Sequence, residues 1–594
     1  MLWLRQLAVG LLGLSSTALA LSIPRDDVVL RPDRVRRQDP EETRVPDSNC
    51  PNTARSRHCW RSGYSIETDF DAKSPPEGGT VTYNLEITNM TLAPDGKERR
   101  GLFINGQYPG PTIFANWGDD VIVNVKNSMP DNGTSIHWHG IRQLNSCQMD
   151  GVNGITQCAI APNDTYQYRF KATQFGTSWY HSHFSVQYGD GVAGPIVING
   201  PATMNYDEDL GVLPLTDWYY TPAFELNYLF LTGQTGPPLV DNVLVNGTMI
   251  NADGGGQYQR IRVEQGKSYR LRLINMSVDS FFHVSLDGHP FHVITSDFVP
   301  IEPFETQSIS LAIGQRYDVV FTANQTVDNY WLRVNFATDC GTEPAIYGET
   351  ENVVGAILEY DGADSTALPT SSNSTAAETN CLDEMDGPIV PWVPNTVPED
   401  RFDEMLEQIE LTVNLTNGIH WLIDGTAMDI RWHNPTLEYV LDGNGSIPDP
   451  YNIYDMNEAD EWYFWIIEGD QASIQLEHPI HLHGHDFYFL GAGDGPWDGT
   501  KNGLNFENPT RRDTAVLPAG GHMVLAFPAD NPGAWLMHCH IAWHVSQGLS
   551  LEFLERRDEI AAAIGDVSEL RDGCQAWDDY WFGPHPYEQD DSGL

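Results

Sequence analysis

The sequence predicts an all-β protein of three consecutive β-sandwich domains with few short helices, and three observations lead there. Glycine (53) and proline (38) are plentiful, charged residues make up only 19%, and tryptophan (17) and tyrosine (24) abound. That mixture suits short strands joined by tight turns better than helical bundles. A chain of 594 residues exceeds what one hydrophobic core sustains, and at roughly 100–200 residues per domain it divides into about three. Finally, one β-module is written twice: GDDVIVNVKN at 118–127 aligns without gaps to GKSYRLRLIN at 266–275. Each copy is a turn followed by alternating apolar and polar residues, the period of a half-buried strand. Each follows a turn, Ile104-Asn105-Gly106 in one case and Val245-Asn246-Gly247 in the other.

From the N-terminus, residues 1–20 place Arg5 before an apolar run closing on Ala18-Leu19-Ala20, the small-residue pattern a signal peptidase cuts. The run is too short to span a bilayer. Arg36-Arg37 ends the charged stretch behind it, so 21–37 reads as a propeptide removed at a dibasic site. The domains are expected at 47–203, 204–384 and 385–594. The small polar residues of 361–380 (DGADSTALPTSSNSTAAETN) mark a linker or long loop before the third. That domain carries its own strand series, WYFWII at 462–467 and MVLAF at 523–527, as a more diverged copy. Residues 555–571 predict one helix with Ile560, Ile564, Val567 and Leu570 on its buried face.

No later stretch is long and apolar enough to anchor in a membrane. N-x-S/T acceptors at Asn89, Asn132, Asn163, Asn246, Asn275, Asn324, Asn373, Asn414 and Asn444 fit surface glycosylation of an exported chain. The expected address is the extracellular space. A formal charge of −49 (pI ≈ 4.4) opposes nucleic acid or an anionic membrane as partner, since like-signed fields repel; the chain is expected to act as a monomer.

The chemistry lies in the histidines. His-x-His occurs at His137/His139, His181/His183, His481/His483 and His538/His540. Residues i and i+2 of a strand share a face, so each pair aims two imidazoles at one point. Eight neutral imidazoles exceed the needs of a single tetrahedral ion. Within HCHIAWH (538–544), a strand would turn Cys539 away from the face of His538 and His540, giving the thiolate to a different centre. Its partners there would be His544, five residues on, and His478, which opens HPIHLHGH (478–485). Two imidazoles and a thiolate are the ligand set of a blue-copper centre. Leu549 would occupy the weak axial position, and lacking an axial donor such a centre favours Cu(I) and a raised potential. The two short peptide paths from Cys539 to His538 and His540 then join the thiolate's centre to the imidazoles of another. A structural zinc site has no use for a cysteine between histidines.

HWHG (137–140), WYHSH (179–183), HPIHLHGH (478–485) and HCHIAWH (538–544) resemble, in order, the four copper signatures of the multicopper oxidases. SIHWHGI, GTSWYHSHFS, RRDT, LPAGG, NPGAWL and the terminal DSGL are similar in detail to the ascomycete laccases of that family. The resemblance implies three cupredoxin-like Greek-key domains and four copper ions: one type 1 centre in domain three and a trinuclear cluster between domains one and three. Residue by residue, it implies His478, Cys539 and His544 with axial Leu549 at type 1 copper, and His137 with His481 at type 2 copper. It gives one type 3 copper to His139, His181 and His540, and the other to His183, His483 and His538. The implied activity is that of a secreted laccase. Phenols and aromatic amines lose single electrons at type 1 copper, with His544 as the entry edge, and O2 is reduced to water at the cluster. Methionine at the axial place marks bilirubin and ascorbate oxidases, so Leu549 disfavours both.

The same resemblance supplies the remaining roles. Asp150 matches an acid beside the cluster, and Asp279 matches a carboxylate near the exposed edge of a type 1 histidine, where it can accept the proton a phenol loses. Trp421 and Trp543 are candidates to line an aromatic pocket. His283, His289, His292 and His485 are read as packing or as supports behind the ligands. Of eight cysteines, the resemblance pairs Cys50–Cys59, Cys340–Cys381 and Cys158–Cys574, leaving Cys147 either buried and inert or competing with Cys158 for Cys574. Related chains are cut after a motif like DSGL, leaving a tail that plugs a channel to the cluster. Here the chain stops at that motif, so no activation cut is expected.

Overall fold

The protein is described by a computed structural model covering residues 29–30 and 47–594, apart from breaks at 342, 350–351, 373–378, 384–388, 417, 444–445, 473 and 587. The expected leader (1–20) lies outside the described residues, as does the expected propeptide (21–37) except for 29–30.

Strands dominate, and one sheet is built the same way three times. In the first domain Thr80–Leu92 runs parallel to Asp120–Asn127, which pairs antiparallel with Thr165–Lys171, while Arg99–Ile104 forms a hairpin on the outer edge. In the second, Glu208–Trp218, Ser268–Asn275, Arg316–Thr322 and Asn242–Val245 take those places. In the third they fall to Leu406–Asn414, Trp462–Glu468, His522–Pro528 and His420–Ile423.

The turn behind each edge strand explains the repeat. Asn105-Gly106 (φ 52° and 73°) and Asn246-Gly247 (φ 50° and 74°) are left-handed at both positions, the geometry of a two-residue hairpin loop that favours Asn-Gly. The third copy is Asp424-Gly425 with φ 50° and 82°, and Asp tolerates the same region. The aligned asparagines do equal work too. Asn127 Nδ2 donates to the Asn132 and Ile160 carbonyls and Asn275 Nδ2 to those of Ser280 and Leu311, each holding a buried corner. Asn275 is therefore a structural residue, fully buried, and not the surface glycosylation acceptor its sequon suggested.

The second sheet of the terminal domains carries the histidines. In domain one its order is Ile113–Asn116, Ala193–Asn199, Gly176–His181, His137–His139; in domain three it is Ile453–Met456, Ser550–Glu555, Gly533–Cys539, His478–Leu482, Thr514–Leu517. The two ends of the chain are bound together by the Cys158–Cys574 disulfide. A charge cluster adds to the tie: Arg142 reaches Asp71 (2.5 Å) and Asp530 (2.6 Å), and Arg511 reaches Asp71 (2.6 Å) and Asp486 (2.7 Å).

Cys50–Cys59 and Cys340–Cys381 are also bonded. With Cys574 already held by Cys158, Cys147 does not compete; it is buried and unpaired, its thiol pushed up to about 12 by burial. The single helix expected over 555–571 is corrected to two, Arg557–Ile564 and Ser568–Trp581. Gly565 breaks it with φ 67°, and the Asp566 side chain accepts the Ser568 N–H at 2.9 Å to start the second. Ile560, Ile564 and Leu570 are buried as expected. Among the described residues no helix is long and apolar enough to cross a membrane.

Candidate metal centres

Strand register assembles the histidine pairs. His137 stands opposite His181 across the His137–His139 and Gly176–His181 ladder, and His481 stands opposite His538 across the His478–Leu482 and Gly533–Cys539 ladder. The strands end at His181, Leu482 and Cys539, so His183, His483 and His540 sit just beyond them. The expectation that 538–540 is wholly strand is thus corrected by one residue. Docking of the terminal domains then brings all eight imidazoles together, with His137 stacked on His483 and His139 on His481 at 3.8 Å between ring centres.

The hydrogen bonds fix which ring nitrogen is free. Nδ1–H donates to a backbone carbonyl in His137 (Asp150 O, 2.9 Å), His181 (Ser182 O, 3.1 Å), His481 (Asp513 O, 2.8 Å) and His538 (Cys539 O, 2.9 Å), and to Asp150 Oδ2 in His483 (2.8 Å). Each of these rings must therefore present an unprotonated Nε2. Those of His137, His181 and His481 have no hydrogen-bond partner although buried, and the Nε2 atoms of His483 and His538 face each other at 3.3 Å. Acceptor facing acceptor is repulsive unless a cation lies between, so the donor set fits metal ions. Three rings depart from this pattern: His183 has neither nitrogen hydrogen-bonded, His540 Nε2 faces His139 Nδ1 at 3.2 Å, and His139 Nε2 lies 3.3 Å from Asp513 Oδ1. Burial first, then neighbouring imidazoles, hold His139, His183, His481 and His483 well below the usual histidine range. Neutral rings are what a metal requires.

On the other side of the same strand, Cys539 Sγ lies 3.5 Å from His478 Nδ1 and 3.6 Å from His544 Nδ1, and the two nitrogens are 3.2 Å apart. His544 is delivered by the short helix Ala542–Ser546. Burial pushes the Cys539 thiol up and His478 down to about 3. A buried thiol surrendering its proton between two neutral imidazoles calls for a soft cation. Leu549 is fully buried, and its carbonyl accepts the Cys539 N–H at 3.1 Å.

Asp150 is fully buried and touches two rings, His483 and, through Oδ1 at 3.2 Å, His137. Asp279 is partly exposed; Asp217 accepts its N–H at 2.9 Å, and the carbonyl of its neighbour Val278 accepts Ala542 N–H at 3.0 Å, setting it against the helix that carries His544. Burial and the Asp217 carboxyl raise Asp279 well above the usual range. Trp421 and Trp543 do not line an open pocket: both are buried, Trp421 against His478 and His544 at 4.8 Å and Trp543 edge-on to Tyr219. His485 pairs with Glu555 (2.7 Å), His289 with the Tyr360 hydroxyl (2.6 Å), His283 with the Asn380 carbonyl (2.8 Å), and His292 with Glu305 (3.5 Å), so all four serve packing or support. The chain end is buried between domains: Gly593 O accepts from Trp432 Nε1 (2.8 Å) and Asn153 Nδ2 (3.0 Å), and Asp591 meets Ser185 and Asn227.

Sequence reasoning missed Asp513. Its signal lay in RRDT (511–514), which entered only as part of the resemblance and received no role.

Comparison with known proteins gives three family models, each described as multicopper oxidase, matching residues 86–203, 209–363 and 422–559. Laccase-3 of Botryotinia fuckeliana is 52% identical over 461 residues, covering 75% of this chain and 100% of that protein. A laccase of Neurospora crassa is 44% identical over 567 residues, covering 91% and 89%. The crystal structure of a laccase from Botrytis aclada matches with a TM-score of 0.86 at 42% identity, covering 92% of this chain and 100% of that one.

Proposed function

The chain belongs to the multicopper oxidase family as a copper-dependent oxidoreductase of the laccase type, and from that premise we propose that it oxidises phenols and aromatic amines one electron at a time and reduces O2 to water. The observation that carries this reading is the pair of facing donor sets on opposite sides of one segment, Cys539 with His478 and His544 on one and the eight-imidazole cage on the other.

In this reading His478, Cys539 and His544 would hold type 1 copper, with the buried Leu549 next to Cys539. His137 and His481 hold type 2 copper; His139, His181 and His540 hold one type 3 copper, and His183, His483 and His538 the other. Bound there, the four coppers supply one-electron oxidation of the donor and four-electron reduction of O2. The chain supplies the rest. The backbone of 538–540 joins the two sites through bonds. Leu549 offers no donor atom, which raises the potential. His544, 9% exposed against 1% for His478, is the ring nearest to solvent and so the edge for the organic donor. Asp279 beside it takes the phenolic proton. Asp150 fixes the ring of His483, and burial keeps bulk water from the cage. The leader pattern and the exposed sequons at Asn89, Asn163, Asn324 and Asn414 support export and glycosylation.

The test is spectroscopic and kinetic. Purified protein should be blue, carry about four coppers per chain, and consume O2 with phenols faster than with ferrous iron or ascorbate. Cys539→Ser should bleach it and stop O2 uptake while sparing the fold. A colourless, copper-replete wild type would remove the type 1 assignment.

A further inference from the structure

We propose that the second domain, which supplies none of the cage histidines, is a wall of the cage: its segment 313–316 orients His139 through Arg316 and Asp513.

Arg316 opens the strand Arg316–Thr322 of domain two. Its guanidinium grips Asp513 of domain three with two parallel bonds of 2.6 Å, and both residues are 1% exposed or less. Such a fork fixes the plane of a carboxylate, which a lysine cannot do. Asp513 Oδ1 then lies 3.3 Å from His139 Nε2. His139 alone among the cage rings sets Nε2 against a carboxylate, with Nδ1 facing His540 Nε2, so its tautomer depends on that acceptor, with Thr514 Oγ1 (3.4 Å) as the other neighbour. Asp513 also holds His481 through its backbone carbonyl.

Three further contacts make the segment a seat and not an incidental salt bridge. Arg316 Nε donates to Thr177 O at 3.2 Å, on the domain-one strand that ends at His181. Gln315 Nε2 donates to Thr514 O at 3.1 Å. Gly314 lies flat against the rings: with φ +87°, a Cβ there would come within 3.0 Å of His139 Cε1 and 3.1 Å of His540 Cδ2. One residue of domain two thus links the histidine strand Gly176–His181 of domain one to Asp513, which precedes the strand paired with His478–Leu482 in domain three. Arg316 is a positioning residue, since it reaches the cage only through Asp513.

This inference rests on the copper-cage reading, and the experiment separates their failures. The double variant Arg316→Gln/Asp513→Asn removes both charges of the pair together, and buried Asp297, which Arg316 also meets at 3.4 Å, keeps Arg512 at 3.4 Å. Copper per chain, blue absorbance, the electron paramagnetic resonance of the non-blue copper, kcat and KM are read for it, for Arg316→Lys and for wild type. Expected are unchanged blue absorbance and donor KM, an altered non-blue signal or lowered copper content, and kcat down about ten- to a hundredfold, with Arg316→Lys in between. Should the double variant not fold, Gly314→Ala decides by the same readouts. Full copper, a wild-type non-blue signal and kcat within twofold would overturn the proposal, and so would equal loss of blue and non-blue copper. A wild type without copper or colour would instead sink the parent reading.

Discussion

Asp150→Asn isolates what one buried carboxylate does for the cage. Its Oδ2 takes the Nδ1–H of His483 at 2.8 Å, and its Oδ1 lies 3.2 Å from His137 Nδ1. His137 also has the Asp150 carbonyl at 2.9 Å, so His483 is the ring that depends on the side chain. Asparagine keeps the volume and one acceptor oxygen, which would go to His483, but turns an NH2 toward the His137 N–H. A charge-assisted bond of about 1.5–3 kcal/mol becomes a neutral one of about 0.5–1.5. The difference, about 1–2 kcal/mol, corresponds to roughly five- to thirtyfold in rate. O2 uptake at saturating phenol should fall by that factor. Anaerobic bleaching of the blue band by the same phenol, followed by stopped flow, should keep its wild-type rate because Asp150 touches only cage rings. Asp150→Ala, which leaves the His483 N–H unpaired, should lose more. Wild-type O2 uptake in both variants, or equal slowing of the anaerobic step, would refute the reasoning.

Asp279→Asn should slow phenols more than a non-protic donor such as ferrocyanide. Because burial and Asp217 raise the Asp279 carboxyl, its basic form grows in as pH rises, so the wild-type advantage on phenols should increase from acid toward neutral pH and vanish in the variant; parallel profiles would count against it. Glu552 is fully buried, and burial lifts its carboxyl to about 8 from 4.5. A raised acid is at full stability below the unfolded value and loses it as pH climbs through the folded one. Glu552→Gln should therefore leave urea stability unchanged near pH 4 and gain a few kcal/mol near pH 8; a constant offset would contradict this. Peptide mapping of secreted protein should find glycan at exposed sequons such as Asn163 and Asn324 and none at Asn275, and a modified Asn275 would disprove the buried corner.

What was legible in the sequence was what local periodicity encodes. Period two accounts for the pair His137/His139 and for the opposite aims of His538 and Cys539, whereas His183, His483 and His540 lie beyond their strand ends, where that rule does not reach. What was hidden depended on residues far apart in the chain. Asp513 gained meaning only from Arg316, 197 residues away, and no local signal links them. The third β-module was obscured because its turn carries Asp424 where the others carry asparagine. The break at Gly565 was masked by apolar spacing that continues in phase across it, and Trp421 and Trp543 read equally well as pocket lining or core. The Asn275 sequon misled because its asparagine is needed inside.

The pairing of Gly533–Cys539 with its neighbours has a consequence for how a working molecule is made. A slip of one position would turn Cys539 toward the eight imidazoles and a histidine toward His478 and His544, so one register decides the composition of both donor sets.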